Sequence, residues 1–494
     1  MGVDMLLSPE FEEIRVEIAG RWQLPDWQKR FPWFPRPVTV KILFYADGSI
    51  QFDGGPFFGL KQVIATLTAN HYPWVRFEVT TVHRLGDPSA QHQGLDLAAA
   101  LALDSFDELW IYSIQAQPQL TATEIAAVTS FTDSHQGGVL ITGDHANLGN
   151  AVANIPRAGK MRQQPAPPAA PPLWNSTLQA GPNGIYEFDD QSDGIPQPLR
   201  LAWRWAGLIW RAPHPLLCSP LGPINVFPDH QHEGEALAPS PTPATEWPSG
   251  PGGPVAAEVI AWGRIADTTS NTVGREVGVL SVYNGHEAAV GRIVADSTWH
   301  HHFDINLRGL PGDPTHPGFV TPGTADWAAN AKKIEHFFVN CGIWLAPPRA
   351  QKAMRSAAFW MMLWSDAVLE ALSSPVHPVL LGRYAYDALG RLAPQCAVFH
   401  WFWDLLPHNL QQNFVKYVEK GDPPPLFEVI AGTVTRQLAD AFQVSASRQI
   451  PPEPPAVEDM EEKLTGVAQR ALGELVANRE EALRDAQALA DFLD

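Results

Sequence analysis

Apolar and polar positions along the chain fall into two alternating patterns. The run Val139-Leu140-Ile141-Thr142, with Gly137 and Gly138 before it and Gly143 after it, predicts a short buried strand. A first strand is predicted over 38–45, a second over 75–82 where the pattern alternates, and a third over 106–114. Between them, Leu60, Val63, Ile64 and Leu67 share one face of a helix predicted over 58–70. Thr121-Ala122-Thr123-Glu124 has capping-box spacing and opens a helix to about 134. Strand patterns resume over 256–262, 276–283 and 289–296. Strands separated by helices imply right-handed βαβ units and a mostly parallel sheet of the α/β class.

The pattern changes character three times. Residues 1–37, rich in Trp, Phe and Pro, read as an irregular arm. An α/β domain follows over 38–345, interrupted at about 155–255 by Pro- and Gly-rich sequence that reads as a functional or mobile insertion. Helices are predicted over 325–344, 350–372, 384–406, 410–419 and 426–442. Pro-rich sequence at 451–456 then introduces a final acidic amphipathic helix, so 350–494 reads as a helical C-terminal domain or packing element. The stripe Leu464, Val467, Ala471, Leu475 and Val476 suits either self-association into a homo-oligomer or docking on its own domain.

Composition narrows the partners. The 494 residues are 45% apolar and 18% charged, as in a globular chain of two domains. A formal net charge of −19 argues against a nucleic-acid backbone or an anionic membrane, and leaves a small-molecule substrate or a metal cation. Residues 1–20 lack the apolar core of a signal peptide, and no apolar run approaches the roughly 20 residues of a membrane span. Cys218, Cys341 and Cys396 give neither a disulfide framework nor a CxxC site, which suggests a reducing cytoplasm.

Three polar clusters stand at predicted strand ends or the loops nearest them: Asp144-His145; Asp229-His230-Gln231-His232-Glu233; and His300-His301-His302 with Asp304. Imidazole and carboxylate together suit a divalent metal such as Zn. A metal held by His145, by His230 or His232, and by one of His300, His301 and His302, with His301 taken first, is a reasonable geometry, with Asp144 or Glu233 as ligand or general base. Each histidine taken alone reads as a hydrogen-bonded structural residue; the clustering favours a site. Asp47 and His300 edge the same pocket on this reading, although Asp47 also suits a turn beside glycine. Arg157 and Arg162 suit an anionic or carbonyl group on a substrate, or an ion-pair network with the acids at 189–193. There is no GxSxG elbow and no Gly-rich phosphate loop.

The strands "VKILFYADG", "FDELWIYSI" and "VLITGDH", with the later "GRIVADSTWHH", resemble the class I glutamine amidotransferase-like superfold, and within it the ThuA-like branch. The resemblance covers about 38–305. It implies a flavodoxin-like sheet with a site at its carboxyl edge and a link to sugar metabolism. The turn that carries the nucleophilic cysteine in amidotransferases is Gly143-Asp144-His145 here, which argues against glutaminase chemistry. The resulting expectation is a metal-assisted hydrolase, or a related lyase or isomerase, acting on a small polar, sugar-like substrate. The alternative is a non-catalytic module that binds a small ligand or a protein partner.

Overall fold

Alternate residues of the first strand, β1 (Val38–Ala46), enter two different cores. Val40, Ile42, Phe44 and Ala46 join one cluster of buried side chains, and Leu43 and Tyr45 join the other. A strand buried on both faces needs helices on both sides, and the chain supplies them. The structure is a computed structural model. It describes residues 36–54, 58–69, 72–113, 115, 118–143, 149–162, 197–206, 210–228, 235–264, 276–297, 299–309, 318–320, 326–390, 393, 398, 401–402, 426–444 and 453–470.

The remaining sheet strands are β2 (Val75–His83), β3 (His92–Gln93), β4 (Glu108–Tyr112), β5 (Gly138–Thr142), β6 (Arg200–Leu201), β7 (Ala257–Arg264), β8 (Glu276–Tyr283) and β9 (Ile293–Asp296). They form one nine-stranded sheet in the order β3-β2-β1-β4-β5-β9-β8-β7-β6. Pairing is parallel from β3 through to β9 and antiparallel beyond it. The fold is therefore α/β with a large, mostly parallel sheet, as the alternating pattern predicts.

Helices α1 (Lys61–Thr68), α5 (Trp327–Leu345) and α6 (Pro348–Leu363) lie on the face of Phe44 and Trp110. Helices α2 (Leu97–Leu101) and α3 (Ala122–Asp133) lie on the face of Leu43 and Ile141. The predicted capping box is formed: the Thr121 hydroxyl accepts from the Glu124 amide, and Glu124 accepts from the Thr121 amide. The short α4 (Asp304–Arg308) follows β9. At β5, Gly138 lies so close to α5 that a Cβ there would sit 2.2 Å from the Leu345 carbonyl oxygen. That contact fixes the spacing between the central strand and the helix covering it.

Beyond α6 come α7 (Asp366–Leu372), α8 (Pro378–Gly390), α9 (Leu426–Ala441) and α10 (457–470). The helix predicted as one piece over 350–372 is thus two, parted at Trp364-Ser365. Buried residues of these helices, including Leu389, Val434, Leu464 and Val467, belong to the same cluster as the α1 face of the sheet. Leu464 and Val467 of the terminal stripe are thus buried in their own chain; Ala471, Leu475 and Val476 lie outside the described residues. Cys218 is disulfide-bonded and Cys341 is a free, buried thiol. This corrects the expectation that the cysteines make no cross-link, on which the inference of a reducing compartment leaned. No helix among the described residues is long and apolar enough to cross a membrane.

Candidate metal centre

The parallel strands end along one edge, where loops collect polar side chains. β9 ends at Asp296. Ser297 is then tied down twice, its amide donating to the Val279 carbonyl at 2.9 Å and its hydroxyl to the Gly278 carbonyl at 2.9 Å. Past this anchor, His300–His302 make one 3-10 turn, closed by the His302 amide donating to the Trp299 carbonyl at 2.9 Å. At about three residues per turn, successive side chains leave such a turn in different directions. His301 and His302 come back over Asp296, and His300 turns away from it.

His301 Nε2 lies 2.8 Å from Asp296 Oδ2, and His302 Nε2 lies 3.2 Å from the same oxygen. One ligand atom from each of the three residues falls within 4.8 Å of the others. Two donors each about 2.1 Å from one ion stand about 3.0 Å apart at a right angle and about 3.4 Å apart at the tetrahedral angle. The two measured separations straddle the lower end of that range. Two imidazoles and a carboxylate could therefore hold a divalent metal ion.

The surroundings keep water out. All three side chains are 0% exposed. The Phe227 ring stacks on His301 at a centroid distance of 4.2 Å, and Phe337 and Phe338 of α5 pack against both imidazoles. Tyr112, the last residue of β4, approaches His302 edge-on, its hydroxyl 3.3 Å from Nδ1. Burial pushes the Asp296 carboxyl up, but the charges and hydrogen bonds of His301 and His302 outweigh it, and the group ends below the usual carboxylate value. Asp296 is thus held ionised in an apolar shell. Burial drives the Tyr112 phenol well above its ordinary value, so it stays protonated.

The structure distributes the sequence-predicted residues unevenly. His301 is in the cluster. Arg162 is fully buried and reaches the same edge, its Nε donating to the Ser297 carbonyl at 3.0 Å. Asp47 is buried where β1 ends, accepting from the Ser113 hydroxyl at 3.0 Å and the Gln115 amide at 3.2 Å. β1 and β4 flank the point where the chain reverses direction across the sheet. His300 is nearly buried, its Nδ1 2.8 Å from the Asn306 side-chain nitrogen. Asp304 stands apart from the cluster: its carboxylate accepts from the Lys61 and Gln62 amides, at 3.2 and 2.8 Å, and so caps α1.

Arg157 is not brought to this edge. It sits at the opposite end of the sheet, between the end of α3 and Tyr283, paired with Asp133 and donating to the Thr132 hydroxyl at 3.1 Å. Asp144, His145, His230, His232 and Glu233 lie outside the described residues.

Sequence reasoning does not reach Asp296 as a candidate ligand, the joint use of His301 and His302 in place of one histidine from the 300–302 run, or Tyr112 as a neighbour. The available signal was an acid at a strand end shortly before a histidine run. Comparison of the chain with protein-family models, with curated proteins and with solved structures gives no match.

Proposed function

We propose that this chain is a metal-dependent enzyme that hydrolyses a small polar substrate, or carries out a related lyase or isomerase step on it. The observation that carries the reading is the convergence of Asp296, His301 and His302, each fully buried, with one ligand atom from each within 4.8 Å of the others. Zinc is the first ion to test, since two imidazoles and one carboxylate make a familiar zinc set with a coordination position left open. A bound ion of this kind supplies a Lewis acid and lowers the pKa of water. The chain's own part is to keep Asp296 ionised, to shield the cluster behind Phe227, Phe337 and Phe338, and to fix the β9 loop through Arg162. In this reading the open position is taken by water or by one of His145, His230 and His232, Asp144 and Glu233 accept protons, and Asp47 and His300 contact substrate.

Leaving aside the two-residue edge strand β3, the parallel strands run β2-β1-β4-β5-β9, so the second in chain order stands beside the first and the longer ones after it follow on the other side. That order supports a flavodoxin-like sheet, and through it the amidotransferase-like, ThuA-like resemblance and a sugar-like substrate. A second reading is favoured by one observation. Complete burial behind three phenylalanines suits an ion that stabilises a non-catalytic ligand-binding module.

Elemental analysis of the purified full chain tests both, beside Asp296→Ala, His301→Ala, His145→Ala and His230→Ala. Stoichiometric metal in the wild type, lost in the first two variants, is the expected result. Turnover of hydrolase or sugar substrates by the loaded protein then selects the enzyme over the module. A wild type that takes up no metal after reconstitution overturns both readings.

A further inference from the structure

We infer that Tyr112 is a positioning residue for the proposed metal centre, serving as the hydrogen-bond partner that lets His302 bind a divalent cation through Nε2. The inference rests on the metal reading above and adds to it a residue from another strand. His302 has one ring nitrogen on each side of the question. Nε2 is 3.2 Å from Asp296 Oδ2, and Nδ1 is 3.3 Å from the Tyr112 hydroxyl. A neutral imidazole carries one N–H. Without an ion, Nε2–H donates to Asp296 and Nδ1 accepts from the phenol. With an ion on Nε2, the ring's single proton must stand on Nδ1, where it needs an acceptor.

The Tyr112 oxygen meets both states, because a phenol donates or accepts according to how its hydrogen is turned. Among the described residues the Tyr112 hydroxyl has His302 as its one hydrogen-bond partner; its ring packs near Phe44 and Phe303, and the Cys341 thiol and the Asp296 carboxylate are near enough to act on it electrostatically. Tyr112 and His302 are both fully buried, so water has no ready access to replace the contact. Outer-shell partners of this kind typically govern about 10- to 100-fold in metal affinity.

The test is a competition titration of chelator-stripped full-length protein with Zn²⁺, using wild type, Tyr112→Phe and Tyr45→Phe. Tyr45 is a control in the other core, where its hydroxyl donates to the Leu95 carbonyl at 3.2 Å. The expected result is a Kd raised about 10- to 100-fold in Tyr112→Phe and unchanged in Tyr45→Phe. Equal affinities for Tyr112→Phe and wild type overturn the role of Tyr112 alone. A wild type that binds no Zn²⁺ overturns the metal reading, and this inference with it. Should Tyr112→Phe fail to fold, ring spectra of ¹⁵N-histidine-labelled wild type, with His302→Gln for assignment, decide the matter. Zn²⁺ should move His302 from the Nε2–H to the Nδ1–H form, and binding through Nδ1 would overturn the inference.

Discussion

Replacing Arg157 separates a structural role from a substrate-binding one. Its guanidinium, 2% exposed, donates to the Glu246 carbonyl at 2.9 Å and to the Thr132 hydroxyl at 3.1 Å, pairs with Asp133, and stands 5.6 Å from the Tyr283 ring centre. The two hydrogen bonds contribute about 1 kcal/mol each. The ion pair adds about 0.5 kcal/mol, because Asp133 is 37% exposed and regains water when the arginine is lost. The aromatic contact adds about 0.5 kcal/mol. Arg157→Met keeps the aliphatic bulk and should cost about 3 kcal/mol in urea unfolding. The backbone supplies an internal check. Arg157 has φ +64°, and its own amide donates to Glu246 at 2.8 Å, a bond that survives every substitution except proline. Arg157→Gly should therefore be about 1 kcal/mol more stable than Arg157→Ala, because glycine relieves a positive-φ strain that arginine and alanine share. Metal content should be unchanged in all three variants, since the side chain lies at the edge of the sheet away from Asp296. A methionine variant as stable as wild type but impaired in ligand binding would refute this reasoning and return Arg157 to the site.

Two other positions give sharp expectations. Gly138→Ala drives a methyl against the Leu345 carbonyl, so β5 and α5 must part; the loss should be about 1–3 kcal/mol or more by thermal unfolding, and an unchanged midpoint would mean the two elements do not meet this closely. His286 has its Nε2 buried, with no hydrogen-bond partner among the described residues, and burial, helped by the charge of Arg292, lowers its pKa to about 2. The native ring stays neutral where the unfolded chain takes up a proton, so stability falls as pH drops from about 6.5 towards 2, by up to about 1.4 kcal/mol per pH unit. His286→Leu removes that slope: its stability relative to wild type, followed by urea unfolding from pH 7 to 4.5, should improve steadily, and a pH-independent difference would remove His286 from the account.

How much of this was legible in the sequence depends on the distance over which each signal acts. The strands were legible because their evidence is local alternation, and the capping box because Thr121 and Glu124 are three residues apart. Even there the sequence under-described Glu124, which also takes the Leu97 amide and Arg84, bonds that exist only once α2 and β2 are in place. The cap of α1 was not legible at all: Leu60 offers no side-chain acceptor, and Asp304 supplies it from 243 residues away.

The site followed the same rule. Strand-end logic led to the carboxyl edge, but acids beside histidines in sequence drew attention to Asp144, Glu233 and Asp304, while Asp296 passed as the last residue of a buried strand. Only the Ser297 anchor and the 3-10 turn bring His301 and His302 back over it. Arg157 and Arg162 make the point in one short stretch. Sequence proximity assigned both to the site, yet the turn at Ala158–Lys160 carries Arg157 to Asp133 at one edge of the sheet and Arg162 to Ser297 at the other. Local chemistry can nominate a residue for a site, but a change of chain direction over five positions decides which end of the molecule it serves.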